Sequence, residues 1–377
     1  MDDAAGLLSR FRALCAAREP DLFEGALLVA ELVDAGDDAD GARGTIAGLA
    51  ERVREKIGEG TPGIPALCAV LFEEEGFKGD EDSYDEPSNS SVARVLRRRR
   101  GMPITLSIVA IEVGRLAGLR LTGVGLPGHF VVGGPDLPEG MYLDPFDGGA
   151  LYEAGGLSRR LAAIFGSAVE LSPDTLRPDS TRGILSRVLL NLRRSLQRRD
   201  RWEEALAALE FSEALDATNG SHSRERGLLL LKIGRTEEAV EALEAYAATT
   251  DGEDLEAVER LIRAARGEDE GELVESPDPE RKVFTLEEAR ALLPQVRELT
   301  SEAVSRYTSL PDELEDERES IVQDWVRQVR SLGLEIKGLW LVDFDSGAGY
   351  YCWKYPEPAI DHFHGYEEGF GGRLPLQ

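Results

Sequence analysis

The chain has 377 residues, a formal net charge of −28, 42% hydrophobic residues and 30% charged residues. That charge argues against nucleic acid as a partner, because phosphate binding needs a basic surface. The apolar content is enough for packed cores and argues against global disorder, and the length predicts two or three domains.

The three cysteines, Cys15, Cys68 and Cys352, are scattered and form no CxxC pair, so no disulfide framework is expected and the usage fits a reduced cytosol. The opening stretch MDDAAGLLSRF lacks a basic n-region and an apolar core, so no signal peptide is read there and a cytoplasmic location without membrane contact is expected.

Residues 1 to 77 read as four helices. Leu7, Leu8, Phe11 and Leu14 keep helical spacing in the first, and Leu22–Val33, Ile46–Ile57 and Ile64–Phe72 follow the same pattern. Gly36 to Gly44 reads as an acidic, glycine-rich break. Asp80 to Glu86 reads as an acidic solvated loop, since the EF-hand spacing with a later Glu is absent. The arginines from Arg97 to Arg100 read as the solvated end of a helix, where cations favour the dipole, in preference to an anion site.

The stretch from Pro103 to Gly118 predicts a buried helix. Proline fits its first turn, where a missing N–H costs nothing. Ile104, Leu106, Ile108, Val109, Ile111, Val113 and Leu116 make it apolar on nearly every side, and Gly118 ends it. Three apolar runs then predict strands: Leu119–Leu126, Phe130–Val132 and Met141–Leu143. His129 opens the second and Asp144 ends the third. Gly123 to Gly128 spells GxGxxG, but a strand follows where a dinucleotide site needs a helix, so NAD binding is rejected. Gly128 is expected to allow a tight turn beside His129.

This helix, histidine and aspartate resemble the transglutaminase-like superfamily, in which a Cys opens a core helix, a His opens the next strand and an Asp ends the one after. The closer resemblance is to the bacterial SirB-type branch. Its RxGxPIxLS, LPGHF and DPFxGG signatures stand here as Arg99 to Ser107, Leu126 to Phe130 and Asp144 to Gly149. The resemblance implies an α+β fold with a transglutaminase-like (papain-like) core. It also implies that the nucleophile position falls on Pro103, which has no nucleophilic side chain. The residual pair His129 and Asp144 is then expected to line a pocket without forming an acyl-enzyme. Thr105 and Ser107 are expected to be helix surface or packing residues, and Cys68, inside PALCAVLF, a small buried hydrophobe.

Trp202-Glu203-Glu204-Ala205 recurs as Thr236-Glu237-Glu238-Ala239, and Leu209 recurs as Leu243, a shift of 34 residues. The period resembles the tetratricopeptide repeat, with Gly234 at the glycine between paired helices and Asp200 there in the first repeat. About two repeats are expected, packed on the preceding domain. Gly267 to Glu280 is acidic and holds two prolines, which reads as a linker.

A third unit opens with a capping box, Thr285 to Glu288. Helices are expected over about 285–308 and 313–331, and strands over 334–336, 339–344 and 350–353. It resembles a small bacterial family of unknown function whose pattern stands here as Lys337, Leu341–Phe344, Cys352-Trp353, Glu357, His364, Gly369-Phe370 and Arg373–Pro375. Cys352, Glu357, His362 and His364 are legal zinc ligands, but Cys352 within YYCW reads as core, so no metal and no cofactor is expected. Glu357, His364 and Arg373 are expected to form a polar network or to bind a small acidic ligand.

The expected domains are 1–180, helical lead-in and transglutaminase-like; 181–266, repeats; 267–282, linker; and 283–377, C-terminal α+β. The role expected is a non-catalytic protein-binding or scaffolding module, with a protein or peptide partner. The alternative is a hydrolase or acyltransferase using His129 and Asp144 with a non-cysteine nucleophile or an activated water. The binding residues expected are Gly128, His129, Asp144, Glu357, His364 and Arg373.

Overall fold

The computed structural model describes residues 2–34, 36–165, 171–250, 253–267, 282–310, 315–346, 349–364 and 374–375. The expected acidic linker falls almost wholly outside the described residues, as do Gly369, Phe370 and Arg373. The chain divides into two compact units, one of Met1–Gly125, Phe130–Leu151 and Arg177–Val274, the other of Leu126–His129, Tyr152–Leu176 and Glu275–Gln377.

The first unit opens with α1 (Asp2–Cys15), α2 (Leu22–Val33), α3 (Ala39–Gly58) and α4 (Gly63–Cys68), the last running into a π-helical turn, Ala69–Glu74. The expected break over Gly36–Gly44 is shorter than its glycines suggest. Asp38 caps α3 by accepting the Gly41 N–H at 2.8 Å, so Gly41 and Gly44 lie inside the helix. Next come the short strand β1 (Lys78–Gly79), α5 (Val92–Arg98), β2 (Arg100–Gly101) and α6 (Pro103–Leu116). β1 and β2 pair in parallel, Lys78 with Arg100 and Gly79 with Gly101. Every residue of α6 from Pro103 to Gly114 is buried, so this helix is the centre of the core, as its all-round apolarity requires.

Four strands follow along the chain in the order β3 (Thr122–Leu126), β4 (His129–Gly133), β5 (Met141–Asp144) and β6 (Ala150–Glu153), and then α7 (Ala154–Phe165), which belongs to the second unit. β4 and β5 are antiparallel, with Val132 opposite Leu143. The first strand begins three residues later than expected. Leu119 packs against Gly63 and Leu121 against Gly114, so both serve helix packing before the strand starts. β6 and α7 were not legible in the sequence, because ALYE and the helix after it are too short for a clear period.

The repeat segment comprises α8 (Thr181–Gln197), α9 (Trp202–Leu215), α10 (Ser221–Lys232), α11 (Thr236–Ala247) and α12 (Glu253–Arg266). The 34-residue shift is exact at the backbone. Arg201 has φ −87° and ψ 64°, and Arg235 has φ −86° and ψ 64°. Asp200 and Gly234 both take positive φ, 55° and 77°; aspartate tolerates that region better than most side chains. Ala205, Ala239, Leu209 and Leu243 are fully buried. The repeats pack on the preceding helices as expected: Phe11 of α1 meets Phe211 of α9 with ring centroids 4.5 Å apart, and Leu185 of α8 lies against Gly25 of α2.

In the second unit, α13 (Leu286–Ser309) and α14 (Glu315–Arg330) accompany a sheet ordered β11 (Leu374–Pro375), β10 (His362–His364), β9 (Tyr350–Lys354), β8 (Leu341–Asp345) and β7 (Glu335–Gly338). The capping box forms: Glu288 accepts the Thr285 N–H at 2.8 Å, and Thr285 accepts the Glu288 N–H at 3.2 Å. The core between these helices holds Trp325, whose indole N–H donates to Thr300 at 2.9 Å. Phe284 and Phe344 stack edge-on at 5.7 Å.

Candidate functional site

Pro103 is the first residue of α6 and is buried. Met102 caps that helix without a side-chain hydrogen bond, and its thioether receives the Asn191 amide at 3.6 Å and the Ser90 hydroxyl at 3.9 Å. Thr105 and Ser107 are completely buried. The Thr105 hydroxyl donates to the Asn89 carbonyl at 2.8 Å, so it is committed to packing, as expected.

His129 opens β4 and is 6% exposed, and Asp144 closes β5 and is fully buried. The turn before His129 uses Gly128 at φ +57°, a conformation that favours glycine. The Asp144 carboxylate organises the turn that follows it, accepting the N–H groups of Phe146 at 3.0 Å and Asp147 at 3.3 Å. The Gly149 N–H returns to the Asp144 carbonyl at 2.9 Å. Thus DPFDGG is a closed loop that buries its aspartate and projects Phe146. The Phe146 ring lies on Gly79, whose N–H donates to the Phe146 carbonyl at 2.9 Å. Motif segments far apart in sequence therefore meet at β1.

The arginine run is the end of a helix. Arg97 and Arg98 close α5, and Arg99 caps it at φ 59°. Arg97 pairs with Asp37, Arg98 with Asp80, and Arg99 with Glu75 at 2.7 Å. Three of the four arginines are thus tied to carboxylates of the same chain, while Arg100 donates to the Gly79 carbonyl at 3.4 Å. The acidic loop is exposed from Glu81 to Glu86, as expected of a solvated loop, and its end is tied to the segment that closes α8. Asp85 pairs with Arg198 at 2.6 Å and Glu86 with Arg199 at 2.8 Å, while Ser195 donates to the Asp85 carbonyl. These surface ion pairs form because Arg198 and Arg199, just past the end of α8, supply the complementary cations.

Cys68 departs from the expectation of a buried hydrophobe. It is half-buried, with its thiol 4.0 Å from the Gly149 carbonyl. Burial, with Glu73 adding to it, pushes this thiol up to about 11, far from a nucleophile's range. Cys15 and Cys352 are buried.

In the second unit, Glu357 closes a turn: its carboxylate accepts the Lys354 N–H at 2.8 Å, and its carbonyl accepts the Trp353 indole N–H at 2.9 Å. His364 lies on β10, and Cys352 stands opposite His362 in register. Among the described residues no group of three or more His, Cys, Asp or Glu is placed to hold a metal ion. Sequence reasoning missed Asp343 and Asp345 of β8, 0% and 4% exposed. Their alternation with Val342 and Phe344 in LVDFD was the available signal.

A transglutaminase-like superfamily model matches residues 41–190, a tetratricopeptide repeat model 192–263, and a model of an uncharacterized conserved protein, DUF2203, residues 308–376. A UPF0162 protein of Xylella fastidiosa is 34% identical over 189 residues, 48% of this chain and 66% of that protein. The chain thus spans just under two thirds of that relative's length. A UPF0162 protein of Pseudomonas aeruginosa is 32% identical over 203 residues, 53% of this chain and 73% of that protein. F-box only protein 21 of Mus musculus is 36% identical over 84 residues, 22% of this chain and 13% of that protein. No solved structure matches the chain.

Proposed function

This chain belongs to the UPF0162 family, and we propose that its transglutaminase-like domain has given up acyl transfer and serves, with the adjoining repeats, as a protein-binding module. One observation carries the reading: Pro103 begins the buried helix α6, at the position where the superfamily's nucleophile is expected. A helix N-terminus there would favour a thiolate, and proline offers nothing to ionise. Thr105 and Cys68 do not replace it. Thr105 is hydrogen-bonded to backbone, and burial suppresses Cys68 ionisation.

His129 and Asp144 are then residues kept from the superfamily's site without a nucleophile to serve. Tetratricopeptide helices supply peptide-binding surfaces in many proteins, so a protein or peptide partner fits the combination. Among the described residues no helix is long and apolar enough to cross a membrane, and a cytoplasmic location is part of this proposal.

The test is turnover. Full-length protein is incubated with a glutamine peptide plus an amine acceptor, and separately with a peptide amide. The reading expects wild type to match His129→Ala in both. Turnover in wild type that His129→Ala abolishes would establish an enzyme using a non-cysteine nucleophile or an activated water.

A further inference from the structure

The carboxyl ends of α1 and α9 leave between them a groove of about 500 Å³, lined by Arg12, Cys15, Ala16, Glu213, Ala214 and Ala217. That volume lies within the range of small-ligand sites, about 300–1,000 Å³. One turn back on both helices, Phe11 and Phe211 stack with ring centroids 4.5 Å apart, which fixes the spacing of the walls. All of these residues belong to the first unit.

The walls are apolar. Ala16, Ala214 and Ala217 present methyl groups, and Cys15 adds a buried thiol. Burial raises the pKa of that thiol against the pull of Arg182, so it stays neutral and packs as a small hydrophobe. The backbone at these helix ends is already satisfied. Arg182 reaches over from α8 and donates to the carbonyls of Cys15, of Ala17 at 3.0 Å and of Leu215 at 2.8 Å. A helix carboxyl end repels anions through its unpaired carbonyls, and this one guanidinium covers carbonyls at the ends of both helices.

The charges around the groove are unevenly committed. Glu213 is held by Arg226 of α10, which donates to it at 2.9 and 2.6 Å. Asp216, beside Ala217, turns into its own loop and accepts the Thr218 N–H at 3.0 Å and the Thr218 hydroxyl at 2.6 Å. Arg12 is exposed, and its guanidinium makes no hydrogen bond or ion pair among the described residues. An apolar groove with one uncommitted cation is complementary to an apolar chain with one anionic end. A peptide laid there would bring backbone N–H and C=O groups for which the alanine and cysteine walls have no partners.

We propose that the groove between α1 and α9 binds an aliphatic monocarboxylate, its chain against Cys15, Ala16, Ala214 and Ala217 and its carboxylate on the Arg12 guanidinium. The groove uses none of the transglutaminase-like motif residues, so its occupancy is independent of the reading above.

The experiment titrates full-length protein with octanoate and decanoate, below their micellar concentrations, by calorimetry. One molecule per chain is expected. Decanoate should bind about fifteenfold tighter than octanoate, since each buried methylene contributes about fourfold. Arg12→Ala should weaken decanoate about tenfold or more, the factor expected for losing a charge-assisted hydrogen bond. 1-Octanol, the same chain without the charge, should bind wild type and Arg12→Ala alike. Ala214→Leu should abolish binding by filling the groove. If that variant fails to fold, Ala16→Leu, at an exposed position, fills the groove from the other wall.

Wild-type protein that takes up no decanoate saturably would overturn the proposal. Decanoate binding left unchanged by Arg12→Ala, or by a folded groove-filling variant, would overturn it too, because the ligand would then lie elsewhere. A peptide with a free carboxyl end and apolar last residues that binds tighter than decanoate, and is lost with the groove-filling variant, would overturn the aliphatic assignment in favour of a protein partner.

Discussion

The contact between Gly79 and Phe146 supports the loop that carries Asp144, and replacing that glycine tests how the motif segments are held together. An ideal Cβ on Gly79 would lie 2.6 Å from Cε1, Cε2 and Cζ of Phe146. Carbon atoms rest at about 3.5–4.0 Å, so the ring must retreat by about 1 Å. Two contacts resist that retreat. The Gly79 N–H is bonded to the Phe146 carbonyl at 2.9 Å, and Tyr84 stands edge-on to the ring at 6.0 Å. Overpacking of this kind costs about 1–3 kcal/mol, which is about 2–4 °C in melting temperature per kcal/mol for a domain of this size. Phe146→Ala removes the obstacle, so Gly79→Ala in that background should be nearly free. The assay is thermal unfolding of the four proteins of the cycle, with coupling of at least about 1 kcal/mol expected. Simple additivity would refute the claim that this ring fills the space over Gly79.

Three further outcomes are expected. Alkylation of wild-type Cys68 at neutral pH should be slow and should rise about tenfold per pH unit toward its pKa of about 11, since only the thiolate reacts; a rate that levels off below pH 9 would contradict the burial argument. Thr285→Ala should lower the stability of the C-terminal unit by about 0.5–2 kcal/mol through loss of the cap, measured by the melting transition of that unit, and an unchanged transition would count against it. Limited proteolysis should cut first within 267–282 and release a fragment beginning near Val283, because that stretch has little apolar surface to bury; equal resistance there and elsewhere would argue against a linker.

Much of this architecture could be read from the chain because its signals are local. The apolar run after Pro103, with Gly118 behind it, sets α6 to within a residue. Thr285 and Glu288 state their own cap, and the 34-residue shift reappears as matching torsions at Arg201 and Arg235. What stayed hidden depends on partners distant in sequence. Ser195 and Asp85 are 110 residues apart, and neither looks unusual alone. The acidic loop reads as solvated and is exposed, but its ion pairs with Arg198 and Arg199, just past α8, are invisible in the sequence. Cys68 reads as core until the Asp144 turn folds over to bring Gly149 beside it. Gly125 looks like a turn glycine, yet its neighbours on α8 and at Asp179 explain it through space alone.

The central claim is that the site keeps its histidine and lacks only a nucleophile at Pro103. The first helical position needs no N–H and Met102 makes no side-chain cap there, so a cysteine can replace the proline without disturbing the start of α6. Iodoacetamide labelling of Pro103→Cys at neutral pH, followed by intact mass, tests the claim directly. The account predicts one rapid adduct absent from wild type, slowed at least about tenfold when His129→Ala is added, as expected when a thiolate loses its base. A folded Pro103→Cys protein that labels no faster than wild type, or equally fast without His129, would contradict it.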